Sequence, residues 1–393
     1  MQLFKGKIEF ASFRKLVLLL CVLCALCVNI SAQEFKTLKD GIEYAEVTRE
    51  ISGLKVHMNL LRLDLTKVRL DVVHAMDGAI GTEKTSSIAT RHGAFAAINA
   101  GFFRLDTSIW AGDAAGILKI DGQVLSESQN NRTALLISNF ADRSDVYINP
   151  IWLDERLSAK KINLVLSGLN RERKANEAIR YSPEFAKTTL TDNTGLEFTV
   201  RKGKITAVND MTGSSPIPAD GYVISASGSL RDDLLPRVKV GDKIALLTGP
   251  TVDNGGHFLT EANAKYLAAY STAEDITNGV PQLVKNGKID ITWEQEKSSK
   301  SFVETRHPRT AVAKLKDGKF LMITVDGRTE SSGGIGLQDL AEYLLGLGAT
   351  DAMNLDGGGS TTMFLDGKVV NHPSDKEGER KVSDAILVTL RKK

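Results

Sequence analysis

Cysteine is scarce in this chain of 393 residues, and its position matters more than its number. Cys21, Cys24 and Cys27 all lie within the first 32 residues, and each follows a leucine instead of the small residue of a lipoprotein cleavage box. If that segment is removed, no thiol remains, which excludes cysteine catalysis, cysteine-bound zinc and disulfide bonds. Stability must then come from a hydrophobic core, which a chain of this length can form.

Long apolar runs are absent after the N-terminus. The one clear run, residues 16–28, has 13 residues, whereas a membrane span needs about 20. It follows four basic residues and precedes Ile30-Ser31-Ala32, which offers a small residue at a cleavage position. A membrane anchor is the competing interpretation, but the short run favours a cleaved signal peptide over residues 1–32. We therefore expect a secreted or periplasmic protein with no stable membrane insertion after cleavage.

A strong charge of one sign is also missing. The net charge is +2, and removal of residues 1–32 takes away four basic residues and one acidic residue, which leaves about −1. A nearly neutral protein gives no electrostatic reason to expect a nucleic acid or an anionic membrane as partner.

Alternation of polar and apolar residues is the main structural signal. Residues 56–65 and 68–73 alternate with the period of strands that bury one face. Hairpin turns are predicted at four pairs, Asp121-Gly122, Asn286-Gly287, Asp317-Gly318 and Asp366-Gly367. The clearest helix covers residues 337–347 and ends before Gly348. These signals predict an α+β fold with mixed, largely antiparallel sheets and a few flanking helices.

Domain boundaries are weakly marked, because no low-complexity linker and no fixed-period repeat interrupts the chain. Residues 155–250 are predicted to form further strands with long polar connections. We place a small N-terminal β-rich lobe at residues 33–85 and the main domain at residues 86–393.

The most informative motif is a run of three glycines, Gly357, Gly358 and Gly359, between Asp356 and the hydroxyl residues 360–362. Glycine loses more backbone entropy on folding than any other residue, so such a run is expected only where no Cβ fits. A strand is predicted to resume at once, which indicates a tightly held loop. We expect the loop to let a ligand touch the backbone, with its amides forming a nest for an anion.

Other polar residues stand at the ends of predicted strands, where rigid scaffolds usually display functional groups. They are Asn99, His307, Arg309, Thr310, Asp326, Arg328, Asn354 and Asp384. Alone, each has a plainer interpretation: Asp326-Gly327-Arg328 as a turn, Arg309 as an ion-paired side chain, and Asn99 as a buried amide that holds a turn. The six histidines are scattered, and only His307 adjoins other candidates.

Three common functional motifs are absent. No lysine follows the glycines as a phosphate loop requires, and neither H-E-x-x-H nor G-x-S-x-G occurs. Arg309 and Arg328 could instead hold an anion through bidentate hydrogen bonds. Asp356, Asp326 and Asp384 supply carboxylates able to act as nucleophile, base or metal ligand. Carboxylates beside phosphate-binding arginines suit the cleavage of a phosphorylated sugar.

The chain resembles the phosphodiester glycosidase family. The resemblance rests on residues 97–103, 309–313, 325–328, 340–349, 352–361 and 382–385, with a second block over residues 168–228. It extends in order over about residues 90–390, and the glycine motif with its preceding helix is the specific part. One departure is Asn278-Gly279-Val280-Pro281, where the family usually has a double glycine.

The resemblance implies an exported hydrolase that cleaves a sugar from a sugar-1-phosphodiester and leaves a phosphomonoester. Asp356 and Asp326 would be the carboxylates near the anomeric carbon, and Asp384 a further catalytic candidate that supports the floor of the site. The implied substrate-binding residues are Asn99, Arg309, Thr310, Arg328, Asn354, Gly357, Gly358, Gly359, Ser360 and Thr361. The implied partner is a phosphate-linked saccharide, and no assembly state is predicted.

Two other classes of function stay open at this stage. One is a non-catalytic carbohydrate-binding protein of the cell envelope. The other is a metal-dependent phosphodiesterase that cuts the P–O bond instead of the C–O bond. No cofactor is required by the motifs, but aspartate-rich loops could bind a divalent cation such as Ca²⁺ through oxygen ligands.

Overall fold

The structure, a computed structural model, describes residues 34–250 and 261–391. The predicted signal peptide at residues 1–32 lies outside the described residues. From residue 37 onward, the described residues form one compact unit. Within the described ranges, no helix is both long enough and apolar enough to cross a membrane.

The largest sheet has eight strands, which are labelled by chain order. Across the sheet they are β1 (Lys36–Lys39), β2 (Ile42–Ile51), β3 (Leu54–Leu63), β23 (Phe320–Val325), β22 (Arg309–Leu315), β24 (Ala349–Asn354), β20 (Gln282–Lys285) and β21 (Lys288–Ile289). β3 pairs with β23 in antiparallel register, so that Met58 lies opposite Val325.

This pairing corrects the predicted N-terminal lobe at residues 33–85. β3 is an interior strand of the large sheet, and its central residues are buried on both faces instead of one. Among the described residues, strands from before and after residue 85 therefore share one sheet instead of forming two lobes. The sequence could not reveal this because the two paired strands are about 260 residues apart.

A second sheet, of five strands, carries part of the candidate site. Its strands are β26 (Lys368–Val369), β25 (Met363–Leu365), β6 (Ala96–Asn99), β28 (Asp384–Leu390) and β4 (Val68–His74). One hydrophobic core cluster joins this sheet to the large sheet, with Ile98 and Ile386 on one side and Val312 and Met353 on the other.

The remaining strands form four smaller sheets. The first has five strands, β10 (Ser144–Pro150), β9 (Thr133–Asn139), β19 (Asp275–Asn278), β7 (Leu118–Ile120) and β8 (Gln123–Ser126). The second has three strands, β12 (Ile162–Val165), β11 (Leu153–Ala159) and β18 (Ala245–Pro250), and the last pairs β27 (Lys381–Val382) with β5 (Glu83–Lys84). The third has five strands, β13 (Gly168–Leu169), β14 (Ala178–Tyr181), β17 (Gly221–Ala226), β15 (Leu196–Arg201) and β16 (Lys204–Asp210). The short pair β13–β14 is parallel.

Helices are few in the described part of the chain. They are α1 (Thr85–Arg91), α2 (Gly228–Leu234), α3 (Glu261–Thr272), α4 (Lys300–Glu304) and α5 (Leu337–Gly346), with 3₁₀ turns at Ala75–Asp77 and Gly358–Ser360. The predicted α+β class with largely antiparallel sheets and few helices is confirmed in these broad terms.

The local sequence signals explain several elements. All four predicted Asp-Gly and Asn-Gly turns join the two strands of a hairpin. In three of them both turn residues have positive φ, which these residue types tolerate. α5 buries Leu337, Leu340, Ala341 and Leu344 on one face, and Gly348 follows it at φ +91°. The predicted helix is thereby confirmed.

Candidate active site

The three glycines follow β24 and are each required for a different reason. A Cβ at Gly357 would lie 2.8 Å from the carbonyl oxygen of Pro308, and a Cβ at Gly359 would collide with Asp375 and Arg380. Gly358 has φ +60°, in the left-handed region that favours glycine. The predicted tightly held loop is confirmed, because bulk is excluded on both sides.

The predicted anion nest of backbone amides is wrong for most of the loop. Gly358 N donates to Pro308 O at 2.9 Å, and Gly357 N donates to Asp356 Oδ1 at 3.0 Å. Ser360 N and Thr361 N donate to carbonyls within the loop. These four amides are therefore committed to protein acceptors and do not point together at a ligand.

Asp356 is clamped through its main chain. Its N–H donates to Ala100 O at 3.0 Å, and its carbonyl accepts from Asn99 Nδ2 at 2.7 Å. Burial raises the pKa of the Asp356 carboxyl to about 6, although the Ser360 hydroxyl, the Gly357 amide and Arg380 act in the opposite direction. Asp356 is thus a carboxyl group held in place through its main chain, with a pKa raised above its ordinary value.

Asn99, at the end of β6, is the residue that holds this loop. Its Oδ1 accepts from Thr310 Oγ1 at 2.8 Å and from Thr362 N at 3.1 Å, while its Nδ2 donates to Asp356 O. The side chain is fully buried. Asn99 and Thr310 therefore position the loop through the amide, which is the plainer interpretation that the sequence left open.

Several buried oxygen atoms near the loop have no hydrogen-bond partner among the described residues. They are Asn354 Oδ1 and the hydroxyls of Thr361 and Thr362. Asn354 uses only its Nδ2, which donates to Val280 O at 2.7 Å. Buried polar atoms without partners are uncommon and require an explanation. These atoms all lie between residues 354 and 362, so this short segment contains polar groups that no described residue satisfies.

Positive charge gathers on the other side of the loop. Arg309, at the start of β22, is 1% exposed, and its Nη2 donates to the carbonyls of Phe302 and Thr305 at the end of α4. Burial, with a contribution from Arg328, lowers the pKa of Arg309 to about 10. Among the described ion pairs, none involves Arg309 or Arg328. A buried guanidinium without a carboxylate partner favours an anion nearby.

Arg328 is the exposed member of this group. Its backbone has φ +62°, its Nη2 lies 3.3 Å from His307 Nδ1, and the same Nη2 would lie 3.1 Å from a Cβ on Gly358. Burial and the two arginines lower the pKa of His307, so that its neutral form is favoured. Of the two predicted phosphate clamps, Arg328 is placed to contact a ligand directly, whereas Arg309 is fixed by main-chain carbonyls.

Asp326, at the end of β23, differs from Asp356 because both of its oxygens are occupied. Oδ2 lies 2.7 Å from His57 Nδ1 and 3.0 Å from His372 Nδ1. Oδ1 accepts from Asn371 Nδ2 at 3.3 Å and from His372 N at 3.0 Å. Asp326 is 2% exposed, and because its two oxygens are hydrogen-bonded it does not offer a second free carboxylate.

Asp384, at the start of β28, is fully buried and accepts three hydrogen bonds. Its Oδ1 accepts from Gly101 N and Ser383 Oγ, and its Oδ2 accepts from Thr277 Oγ1 at 2.6 Å. It therefore holds the segment after Asn99 in place. The predicted supporting role fits this geometry, and a nucleophilic one does not.

His57, His372 and Asn371 are the site residues that the sequence did not single out. His57 comes to Asp326 because β3 pairs with β23, and Asn371 links Asp326 to Thr361 O at 3.0 Å. The sequence contains no local signal for this group, since His57 is 269 positions from Asp326 and His372 is 46 positions from it. The period-2 pattern around Val56 and Met58 could only place His57 on the face opposite to theirs.

The comparisons with known proteins agree with the resemblance seen in the sequence. The model of the phosphodiester glycosidase family matches residues 194–389. N-acetylglucosamine-1-phosphodiester alpha-N-acetylglucosaminidase from Mus musculus is 31% identical over 169 residues, which is 40% of this chain and 30% of that protein. The Bos taurus enzyme of the same name is 38% identical over 109 residues, 25% of this chain and 20% of that protein.

A solved structure extends the likeness to most of the fold. The crystal structure of a hypothetical protein from Synechocystis matches this chain with a TM-score of 0.74 and 23% sequence identity. The matched region covers 91% of this chain and 64% of the Synechocystis chain. The sequence matches to the curated mouse and bovine relatives are shorter, and each spans less than a third of that relative's length.

Proposed function

Because residues 194–389 belong to the phosphodiester glycosidase family, we propose that the protein is a glycosidase that releases a sugar from a glycosyl-1-phosphodiester. The C–O bond at the anomeric carbon breaks, and a phosphomonoester leaves. The substrates proposed are phosphate-linked saccharides of surface or extracellular glycans, and the protein is proposed to be exported after removal of residues 1–32.

The observation that carries this proposal is that a carboxyl group with a raised pKa and two arginines without carboxylate partners lie around the same loop. Asp356 has a pKa raised to about 6, and the exposed Arg328 and buried Arg309 have no carboxylate partner among the described residues. A phosphodiester brings a negative charge for the arginines and an anomeric carbon for the carboxylate. The plainer alternative, a structural turn, requires neither feature.

The proposed reaction needs little assistance from a general acid. A phosphate monoester departs as a stabilised anion, so the leaving oxygen needs less protonation than in an ordinary glycoside. Arg328 would bind the phosphate oxygens, and Asp356 in its ionised form would attack the anomeric carbon or activate water there. Asp326 and Asp384 would position the site, since their oxygens are taken by hydrogen bonds.

The test is a panel of sugar-1-phosphodiesters incubated with the protein in ¹⁸O-labelled water. We expect free sugar and an unlabelled phosphomonoester, because C–O cleavage adds water oxygen to the sugar. Label in the phosphate would instead establish the phosphodiesterase alternative. Saturable saccharide binding without any turnover would establish the binding-protein alternative.

Asp356→Asn separates the proposed carboxylate from other effects, because it keeps an oxygen that can accept from Gly357 N. We expect at least about a hundredfold loss of kcat, which is the scale typical of acid–base groups. Asp366→Asn is the matched control, since Asp366 is an exposed aspartate in the β25–β26 turn. Full turnover by Asp356→Asn would refute the assignment of Asp356.

A further inference from the structure

The cluster His57, Asp326 and His372 has a geometry that the proposed glycosidase reaction does not use. One potential ligand atom from each of the three residues lies within 4.8 Å of the other two, and Asp326 Oδ2 contacts both His57 Nδ1 and His372 Nδ1. The carboxylate oxygen is 2.7 Å and 3.0 Å from the two nitrogens. We propose that these three atoms bind one divalent transition-metal ion of the Zn²⁺ class.

The residues around the cluster orient its ligand atoms in the way that metal sites require. Glu46 Oε1 lies 2.9 Å from His57 Nε2, so a carboxylate holds the far side of the imidazole and leaves Nδ1 facing the cluster. Asn371 Nδ2 and His372 N occupy Asp326 Oδ1, which leaves Oδ2 as the ligand atom. Histidines that bind metals almost always have such a partner on their second nitrogen.

The ligand types select the class of ion. Two imidazoles and one carboxylate suit Zn²⁺ or Fe²⁺, whereas Ca²⁺ prefers six to eight oxygen ligands. In a tetrahedral zinc site with bonds of about 2.0–2.1 Å, the ligand atoms stand about 3.4 Å apart. Each nitrogen would therefore move away from Asp326 Oδ2 by about half an ångström.

That small movement is available because the cluster is unevenly buried. The side chain of His57 is 12% exposed and that of Asp326 2%, but that of His372 is 72% exposed. The two imidazole rings meet edge to face, with centroids 5.7 Å apart. His372 can therefore adjust its position, because most of its side chain is exposed.

The cluster is linked to the glycine loop. Asn371 donates both to Asp326 Oδ1 and to Thr361 O, and Arg328 follows Asp326 by two residues. A bound cation would thus add positive charge on the side of the loop where Arg328 lies. The binding site itself does not depend on the proposed glycosidase activity, because the ligand set alone defines it.

The alternative for this cluster is a metal-free ion pair in which a protonated His57 bridges Glu46 and Asp326. Both arrangements use the same distances, but they differ in their response to metal. The test is a titration of the chelator-treated, tag-free protein with Co²⁺ and with Zn²⁺. It is read by the visible absorption of histidine-bound cobalt, by displacement with zinc and by metal analysis after dialysis.

We expect one tightly bound ion per chain, and Ca²⁺ in excess should not displace it. His372→Ala should weaken binding by at least about tenfold without unfolding the protein, since His372 is exposed. Glu46→Gln should weaken it by about 10–100-fold, because it replaces the carboxylate that raises the basicity of His57 with a neutral amide. His92→Ala, at a surface histidine paired with Asp77, is the control and should bind like the original chain.

The absence of saturable binding by the original chain would overturn the metal site and leave the ion pair. Binding that survives His372→Ala and Glu46→Gln unchanged would also overturn it, because the ion would then sit elsewhere. Neither result bears on whether the protein hydrolyses phosphodiesters, which is measured separately as product release. The two proposals can therefore fail independently.

Discussion

Replacement of Asp356 by asparagine is predicted to increase stability at neutral pH while it removes activity. Burial raises the pKa of Asp356 from its ordinary value of 3.8 to about 6. A raised pKa means that the folded state holds the proton more tightly than the unfolded state, so the ionised carboxylate opposes folding. At about 1.4 kcal/mol per pH unit, a shift of about two units destabilises the fold by about 3 kcal/mol above pH 6.

The pH dependence of this effect gives the prediction its sign. Below about pH 4 the carboxyl is protonated in both states, and the original chain and Asp356→Asn should be equally stable. Between about pH 4 and pH 6 the variant should become the more stable of the two, and the difference should level off above pH 6. Asparagine keeps an oxygen that accepts from Gly357 N, so loss of this hydrogen bond does not contribute to the difference in stability.

The assay is denaturant unfolding at closely spaced pH values from 4 to 8, with the difference in midpoint as the readout. Glu83→Gln is a control of opposite sign: although Glu83 is partly buried, hydrogen bonds from Arg91 and Ser87 hold its pKa at about 2, so the substitution should reduce stability at neutral pH. A difference between Asp356→Asn and the original chain that does not change with pH would refute the reasoning.

Three further predictions concern the surroundings of Asp356. Gly359→Ala should reduce stability and activity sharply, because the added Cβ would collide with Asp375. Gly346→Ala is the control: a Cβ at this position in α5 has no atom within 4 Å, so the substitution should stabilise the protein by up to about 1 kcal/mol. Thermal unfolding of both variants makes the comparison. Arg328→Ala should raise KM for a phosphodiester at least about tenfold without loss of stability, and Arg328→Lys should recover part of this, as steady-state kinetics would measure. Asn99→Leu should destabilise the fold by about 2–4 kcal/mol in denaturant unfolding, because the hydroxyl, amide and carbonyl that it bonds would stay buried without a partner.

The parts of the fold that the sequence predicted are those with local signals. A turn such as Asn286-Gly287 depends on the backbone freedom of two adjacent residues, and α5 on apolar residues within three turns of helix. The lobe boundary near residue 85 was wrong because the pairing of β3 with β23 leaves no trace in either strand alone. Strand order is set by contacts distant in sequence, which residue patterns do not encode directly.

The candidate site divides in the same way. The glycine loop was found because three glycines in a row are rare enough to need a reason. The roles of Asn99 and Asp384 could not be assigned from the sequence, since a buried asparagine that binds main chain and one that binds substrate look alike there. His57 was passed over because its partner, Asp326, is 269 positions away.

We propose that the loop is more than a structural turn, because its unfavourable features would be avoidable if folding were their only purpose. A neutral residue at 356 would remove the penalty of burying a carboxylate, and an apolar residue at 309 would remove a buried guanidinium without an ionic partner. Asp326 and Asp384 provide the internal comparison. They are at least as buried, yet each has every oxygen hydrogen-bonded, as carboxylates kept for structure are expected to be. At this site the unfavourable burial thus falls on Asp356 and Arg309, where a bound ligand could relieve it.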